Sequence, residues 1–143
     1  VAKPGGETVL VVDDHPAVLR VVIHILRNAG FHVLTATGGQ SALHIAGALK
    51  APIDLLLSDI EMPGMSGPEL GQALKLLRPD MRVMLMSGGV DGNLLVLNYG
   101  WAYIEKPFVG FKLVEMVRSV LDSPDRSQSN GQEFDIRKET DRR

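Results

Sequence analysis

At 143 residues the chain has room for one domain with a sizeable core, and 45% hydrophobic with 22% charged residues is ordinary for a globular protein. A net charge of −2 and a pI near 6.1 leave no basic footprint for nucleic acid. No apolar run approaches the roughly 18 residues of a membrane span. The absence of cysteine excludes disulfide and thiolate chemistry, and no signal peptide is visible, so a cytoplasmic setting is expected. Val1 in place of Met leaves open a start further upstream.

Strand and helix signals alternate from Thr8 onward. Val9-Leu10-Val11-Val12 is a short apolar run ended by Asp13-Asp14, the pattern of a buried parallel strand. Pro16 suits the first turn of a helix whose apolar stripe is Val18, Val21, Val22, Ile25, Leu26 and Ala29, and Gly30 stops it. Phe31 to Thr35 predicts a second strand, closed by Gly38-Gly39. Ala42, Ile45, Ala46 and Leu49 mark a second helix ending before Pro52. The run Ile53 to Ser58 predicts a third strand with Asp59 at its C-terminal end, followed by the turn Met62-Pro63-Gly64-Met65-Ser66-Gly67.

Ser66 and Glu69 have capping-box spacing, and Leu70, Ala73, Leu74 and Leu77 give the next helix its apolar face. After Pro79, Met81 to Met86 predicts a fourth strand that stops at Ser87-Gly88-Gly89. Asp91 to Tyr99 is the least periodic of the helical segments, and Trp101 to Glu105 predicts a fifth strand. Beyond Lys106-Pro107, Phe111, Val114, Val117 and Leu121 form the stripe of a last helix. Residues 122–143 are polar and mixed in charge, and the expectation is disorder. The expected organisation is an N-terminal arm or linker over 1–6, one domain over 7–121 and a polar tail over 122–143.

Strict alternation of five β-α units implies a parallel sheet with helices on both faces and right-handed crossovers. The C-terminal strand ends then converge on one crevice, bringing together Asp13, Asp14, Asp59, Ser87 and Lys106. Clustered carboxylates repel unless a positive charge stands among them, and hard oxygen donors suit Mg²⁺. A lysine adds a point charge and a serine a hydroxyl donor. The set suits phosphoryl transfer, including transfer to a carboxylate nucleophile. The four histidines, His15, His24, His32 and His44, show no metal-ligand spacing, and Trp101 is expected in packing.

Val-Val-Asp13-Asp14, Asp59-Ile-Glu-Met-Pro63-Gly-Met-Ser-Gly67, Met86-Ser87-Gly88 and Lys106-Pro107-Phe108, in this order, resemble the signature of bacterial two-component receiver domains over roughly residues 7–121. The resemblance implies a flavodoxin-like (βα)5 three-layer sandwich with a parallel five-stranded sheet of order 2-1-3-4-5. It makes Asp59 the phospho-acceptor, and Asp13, Asp14, Asp59 and the backbone carbonyl of Glu61 the Mg²⁺ site. It makes Ser87 and Lys106 the groups that meet the phosphoryl oxygens, Tyr103 the aromatic switch, and Lys106-Pro107 a cis peptide. The partner implied is a histidine kinase or phosphotransfer domain, with output through the fourth helix, fifth strand and fifth helix and with room for a transient dimer. Such a module is not an enzyme acting on a separate substrate.

Two departures from the family pattern stand out. His15 occupies a place where another acid is common, and the stretch from Ser87 to Lys106 is about one helical turn short. Two other functions compete. One is a phosphate-independent receiver-fold scaffold, which the intact Asp14, Asp59, Ser87 and Lys106 oppose. The other is an aspartyl-nucleophile phosphatase, whose usual acid-base aspartate two residues after the nucleophile is absent, since Glu61 follows Asp59 and His15 follows Asp13. Gly5-Gly6-Glu7-Thr8 resembles the linker before the C-terminal receiver of hybrid sensor histidine kinases. A stand-alone regulator is the other reading.

Overall fold

The computed structural model describes residues 6–88 and 99–123. Five strands, β1 (Thr8–Val12), β2 (His32–Ala36), β3 (Leu55–Asp59), β4 (Arg82–Ser87) and β5 (Ala102–Glu105), alternate with α1 (Pro16–Asn28), α2 (Gly39–Ala48) and α3 (Gly67–Leu77). The helix after β5 is α4 (Gly110–Asp122). The helix expected over Asp91 to Tyr99, and with it the shortened segment, lies outside the described residues except for its end at Tyr99. The tail from 124 onward lies outside them too.

All strand pairs are parallel and the order is β2-β1-β3-β4-β5, the flavodoxin-like arrangement that the resemblance implies. Successive side chains of a strand point to opposite faces, so a sheet covered on both sides needs apolar residues at every position. Val9, Val11, Leu55, Leu57, Met84 and Met86 pack under α1 and α4, and Leu10, Val12, Leu56, Val83 and Leu85 pack under α2 and α3. This double burial explains the unbroken apolar runs of β1, β3 and β4.

The starts of β2 and β4 fall one residue later than the sequence predicts, for a local reason. Phe31 donates its N–H to Leu26 and Gly30 donates to Arg27, closing α1 with a Schellman motif in which Gly30 takes φ 97°. Phe31 therefore belongs to the helix end, and β2 begins at His32. Met81 likewise donates to Arg78 in a turn before β4. The capping box of α3 forms as its spacing predicts, with Glu69 N–H to Ser66 Oγ at 3.2 Å and Ser66 N–H to Glu69 Oε1 at 2.9 Å.

Three helical stripes need correction. Val21 of α1 is 55% exposed, Leu77 of α3 56% and Phe111 of α4 73%, although each belongs to its predicted apolar face. The buried registers are Leu19, Val22 and Leu26 in α1, Leu70 and Leu74 in α3, and Leu113, Val117 and Leu121 in α4. Each helix touches the sheet along a band narrower than its apolar stripe, so residues at the band's edge or beyond the sheet's end stay in water.

Arg78 ties the two helices of one layer together. Its guanidinium donates to the carbonyls of Ala46, Leu49 and Ala51, occupying groups that the C-terminal end of α2 leaves without helical partners. Arg118 holds Glu7 through two nitrogens and lies 5.3 Å above the Phe31 ring, joining the start of β1 to α4.

Candidate functional site

Parallel strands that all run in one direction deliver their C-terminal ends to one edge of the sheet, where side chains leave the core and meet in a crevice. β1 delivers Asp13 and Asp14, β3 Asp59, β4 Ser87 and β5 Lys106. Asp13 is fully buried and the Asp59 side chain is 8% exposed, whereas Asp14 is 27% exposed. The Lys106 ammonium stands between two of these acids, donating to Asp13 Oδ2 at 3.0 Å and to Asp59 Oδ1 at 3.2 Å.

The electrostatics follow from burial and from that single cation. Desolvation raises the Asp59 pKa above the ordinary carboxylate value; Lys106 opposes the shift, and the negative charges of Asp13 and Asp14 add to it. Burial alone would lower the Lys106 pKa. The hydrogen bond to Asp13 and the charges of Asp59 and Asp13 outweigh it, and the pKa is raised. Lys106 therefore stays charged at neutral pH and, among the described residues, is the lysine that pairs with Asp13 and Asp59, while Asp14 lies beyond its reach. The site has excess negative charge and calls for another positive group.

Asp13, Asp14, His15 and Asp59 each offer one ligand atom, and these atoms lie within 4.8 Å of one another. Asp14 Oδ1 is buried and accepts no hydrogen bond. An orphaned buried carboxylate oxygen among other oxygen donors fits a hard divalent cation such as Mg²⁺. His15 was absent from the sequence-derived ligand set. Its Nδ1 lies 3.0 Å from Asp13 Oδ1 and 3.3 Å from Asp14 Oδ1, so the finding that no histidine has metal-ligand spacing holds along the chain but not in space. His24 and His44 are exposed on α1 and α2.

Glu61 lies in the loop after Asp59, with its side chain exposed. Ser87 is buried at the end of β4, and its carbonyl accepts the backbone N–H of Lys106 at 2.8 Å. Tyr103 pairs in register with Leu85 and packs against the α2/α3 side of the sheet, the side to which Ser87 belongs by its parity with Leu85. The Lys106–Pro107 peptide is cis. Trp101 is buried, stacked on Tyr99 at 4.7 Å, and fills the space over Gly71 of α3.

Gly67 is a site residue that sequence reasoning treats as part of a turn and of the family signature, without a role of its own. A Cβ there would stand 2.2 Å from the carbonyl oxygen of Asp59, and Gly67 N–H donates to Ile60 at 2.8 Å. The start of α3 is thus laid directly on the backbone of the strand end that presents Asp59. The sequence signal available was the Ser66-Gly67-Pro68 order, in which an N1 glycine has no capping role of its own.

The chain matches the family described as response regulator receiver domain over residues 9–118. The chain belongs to that family. The receiver is 32% identical over 124 residues to the sensor kinase CckA of Brucella abortus, covering 85% of this chain and 13% of that protein. It is 34% identical over 117 residues to the probable transcriptional regulatory protein TcrX of Mycobacterium tuberculosis, covering 80% of this chain and 49% of that one. The receiver therefore spans at most about half the length of these curated relatives. Among solved structures it superposes on a response regulator receiver domain protein from Clostridium thermocellum with TM-score 0.74 at 27% identity, covering 81% of this chain and 94% of that one. The receiver domain of hybrid histidine kinase CckA gives 0.69 at 34% identity, covering 80% of this chain and 99% of that one. Among the described residues, no helix is long and apolar enough to cross a membrane.

Proposed function

We propose that Asp59 accepts a phosphoryl group from a phosphohistidine of a histidine kinase or phosphotransfer domain, in the cytoplasm, and that the receiver passes the new charge on by protein contact without turning over a separate substrate. The observation that carries this reading is the buried Asp59 carboxylate held 3.2 Å from Lys106 beside Asp13 and Asp14. An Asp59 carboxylate oxygen attacks phosphorus, the O–P bond forms and the P–N bond breaks. The electron pair stays on the donor imidazole, which takes up a proton. Lys106 meets a phosphoryl oxygen with the ammonium that now faces Asp59, and the Ser87 hydroxyl donates to another. Asp13, Asp14, Asp59 and the Glu61 carbonyl would hold Mg²⁺, which would supply positive charge to offset that of the phosphoryl group.

The phosphoryl group adds between one and two negative charges beside Lys106, whose backbone is bonded to Ser87 at the end of β4. A pull on either residue is shared by β4 and β5, on which Tyr103 sits, and biases the face that β5 and α4 build with the expected helix before β5. The exposed Val21, Val109 and Phe111 supply a surface for the phosphodonor. Val21 lies one turn before Ile25, and Ile25 is within 3.4 Å of the space over Gly110, the residue between Val109 and Phe111. A phosphate-independent scaffold is disfavoured because it gives no role to a buried, repelling carboxylate set.

Mg²⁺-dependent labelling by acetyl phosphate tests the reading. The expected outcome is one acid-stable, base-labile phosphoryl group per chain, lost in Asp59→Asn. No labelling of the wild type, or equal labelling of Asp59→Asn, overturns it.

A further inference from the structure

We infer that His15 contributes a nitrogen donor to the cation site, so that this receiver prefers borderline transition-metal ions such as Ni²⁺ over Mg²⁺ more strongly than its carboxylates alone would allow. The inference rests on the reading that Asp13, Asp14 and Asp59 hold a divalent cation, and it concerns the identity of the ion.

Three features of the residue carry it. The first is position: His15 Nδ1 is 3.0 Å from Asp13 Oδ1 and 3.3 Å from Asp14 Oδ1. Neighbouring ligand atoms on an octahedral ion with bonds of about 2.0–2.2 Å are separated by about 3 Å, the separation that His15 Nδ1 keeps from each of the two oxygens. The second is anchorage. His15 caps the start of α1 in extended conformation, ahead of Pro16, and its backbone N–H also donates to Asp13 Oδ1 at 2.9 Å. The backbone is fixed against the acid pair, while the 62% exposed ring is open to solvent and to an entering ion.

The third is an imbalance. A ring N–H donated to Asp13 accounts for the contact to that residue, but it leaves Asp14 Oδ1 buried and without a hydrogen bond despite the ring nitrogen beside it. A cation among the three atoms satisfies both oxygens, with Nδ1 of the neutral ring as third donor and the ring proton carried on Nε2, which faces water. Imidazole suits Mn²⁺ weakly and Ni²⁺ strongly, whereas Mg²⁺ favours carboxylate, carbonyl and water oxygens. Replacing the acid common at this position with His15 therefore removes a hard donor and supplies a softer one.

The test is calorimetric titration of the full chain with Mg²⁺, Mn²⁺ and Ni²⁺ separately, at mildly alkaline pH, for the wild type, His15→Ala and His15→Asp. The ring is largely in water, so both variants keep the fold, which circular dichroism verifies. The Ni²⁺-to-Mg²⁺ affinity ratio is expected to fall about tenfold or more in both variants. Pulsed EPR of Mn²⁺ bound to the wild type is expected to show a directly coupled imidazole nitrogen that His15→Ala lacks. A ratio in His15→Ala within about twofold of the wild type, or a nitrogen signal that survives it, overturns the inference while leaving the carboxylate site standing. A wild-type chain that binds none of the three ions overturns both.

Discussion

The backbone N–H of Lys106 donates to the carbonyl of Ser87 across 2.8 Å, while the same residue's ammonium reaches Asp13 and Asp59. One residue thus spans the ends of three strands, through its backbone to β4 and through its side chain to β1 and β3. Lys106→Met keeps the backbone bond and removes the charge. Without Mg²⁺ its stability is expected to fall by about 1–3 kcal/mol, since it leaves Asp13 and Asp59 facing each other with no cation. Mg²⁺ binding is expected to tighten, because the ion no longer competes with an ammonium. Chemical denaturation with and without Mg²⁺ checks both signs, and phosphoryl labelling is expected to slow at least tenfold.

Asp59→Asn should do the opposite to stability. The folded protein raises the Asp59 pKa, chiefly by burial, so the folded state holds that proton more tightly than the unfolded chain does. The stability linked to the proton is fully present below the unfolded value of about 3.9 and is lost as pH rises through the folded value. At neutral pH the ionised wild type carries that loss and Asp59→Asn does not. In EDTA the variant is expected to melt about 2–6 °C higher near pH 7. The gap should close as pH falls below the carboxylate range, and saturating Mg²⁺ should narrow it. A gap independent of both pH and Mg²⁺ would speak against burial of the charge as its cause.

Two glycine substitutions inside helices are expected to have opposite signs. At Gly47 of α2 a Cβ meets nothing within 4 Å, so Gly47→Ala should stabilise by about 0.5–1 kcal/mol through helix propensity. At Gly71 of α3 the Cβ meets the Trp101 ring at 2.9 Å, so Gly71→Ala should destabilise by about 1–3 kcal/mol. The Gly71→Ala change should also alter Trp101 fluorescence, which Gly47→Ala leaves alone. Urea denaturation followed by that fluorescence reads both.

Arg78→Ala removes the guanidinium from the carbonyls of Ala46, Leu49 and Ala51. A loss of about 1–3 kcal/mol is expected, with hydrogen exchange accelerated at the C-terminal end of α2. Labelling at Asp59, which belongs to the opposite edge of the sheet, is expected to persist at temperatures where the variant is folded.

The sheet was legible in the sequence because double burial writes itself as runs such as Val9 to Val12 and Leu55 to Leu57, each stopped by a chemically conspicuous residue. The convergence of Asp13, Asp14, Asp59, Ser87 and Lys106 followed from parallel topology alone. Strand order did not follow and came from the family resemblance. The helix faces were only partly legible: periodicity shows that Val21, Leu77 and Phe111 share a stripe with core residues, but not how wide a band the sheet covers. His15 and Gly67 were missed for a different reason. Gly67 matters through its distance to the Asp59 carbonyl in another segment, which no spacing along the chain encodes. His15 stands beside Asp14 in the chain and was read only as a departure from the family's acid, because adjacency does not fix where a ring nitrogen points.

The contact between Gly67 and Asp59 also limits how this site can diversify. In the loop that connects the strand end to α3, the exposed Glu61 and Pro63 side chains can change without touching the contact between the two elements. Position 67 has no such latitude, because even one methyl group would have to displace the carbonyl of the residue that presents the reactive carboxylate. Variation in partner recognition can accumulate on the outer surface of the loop, while the chemistry beneath is protected by a position that accepts no side chain.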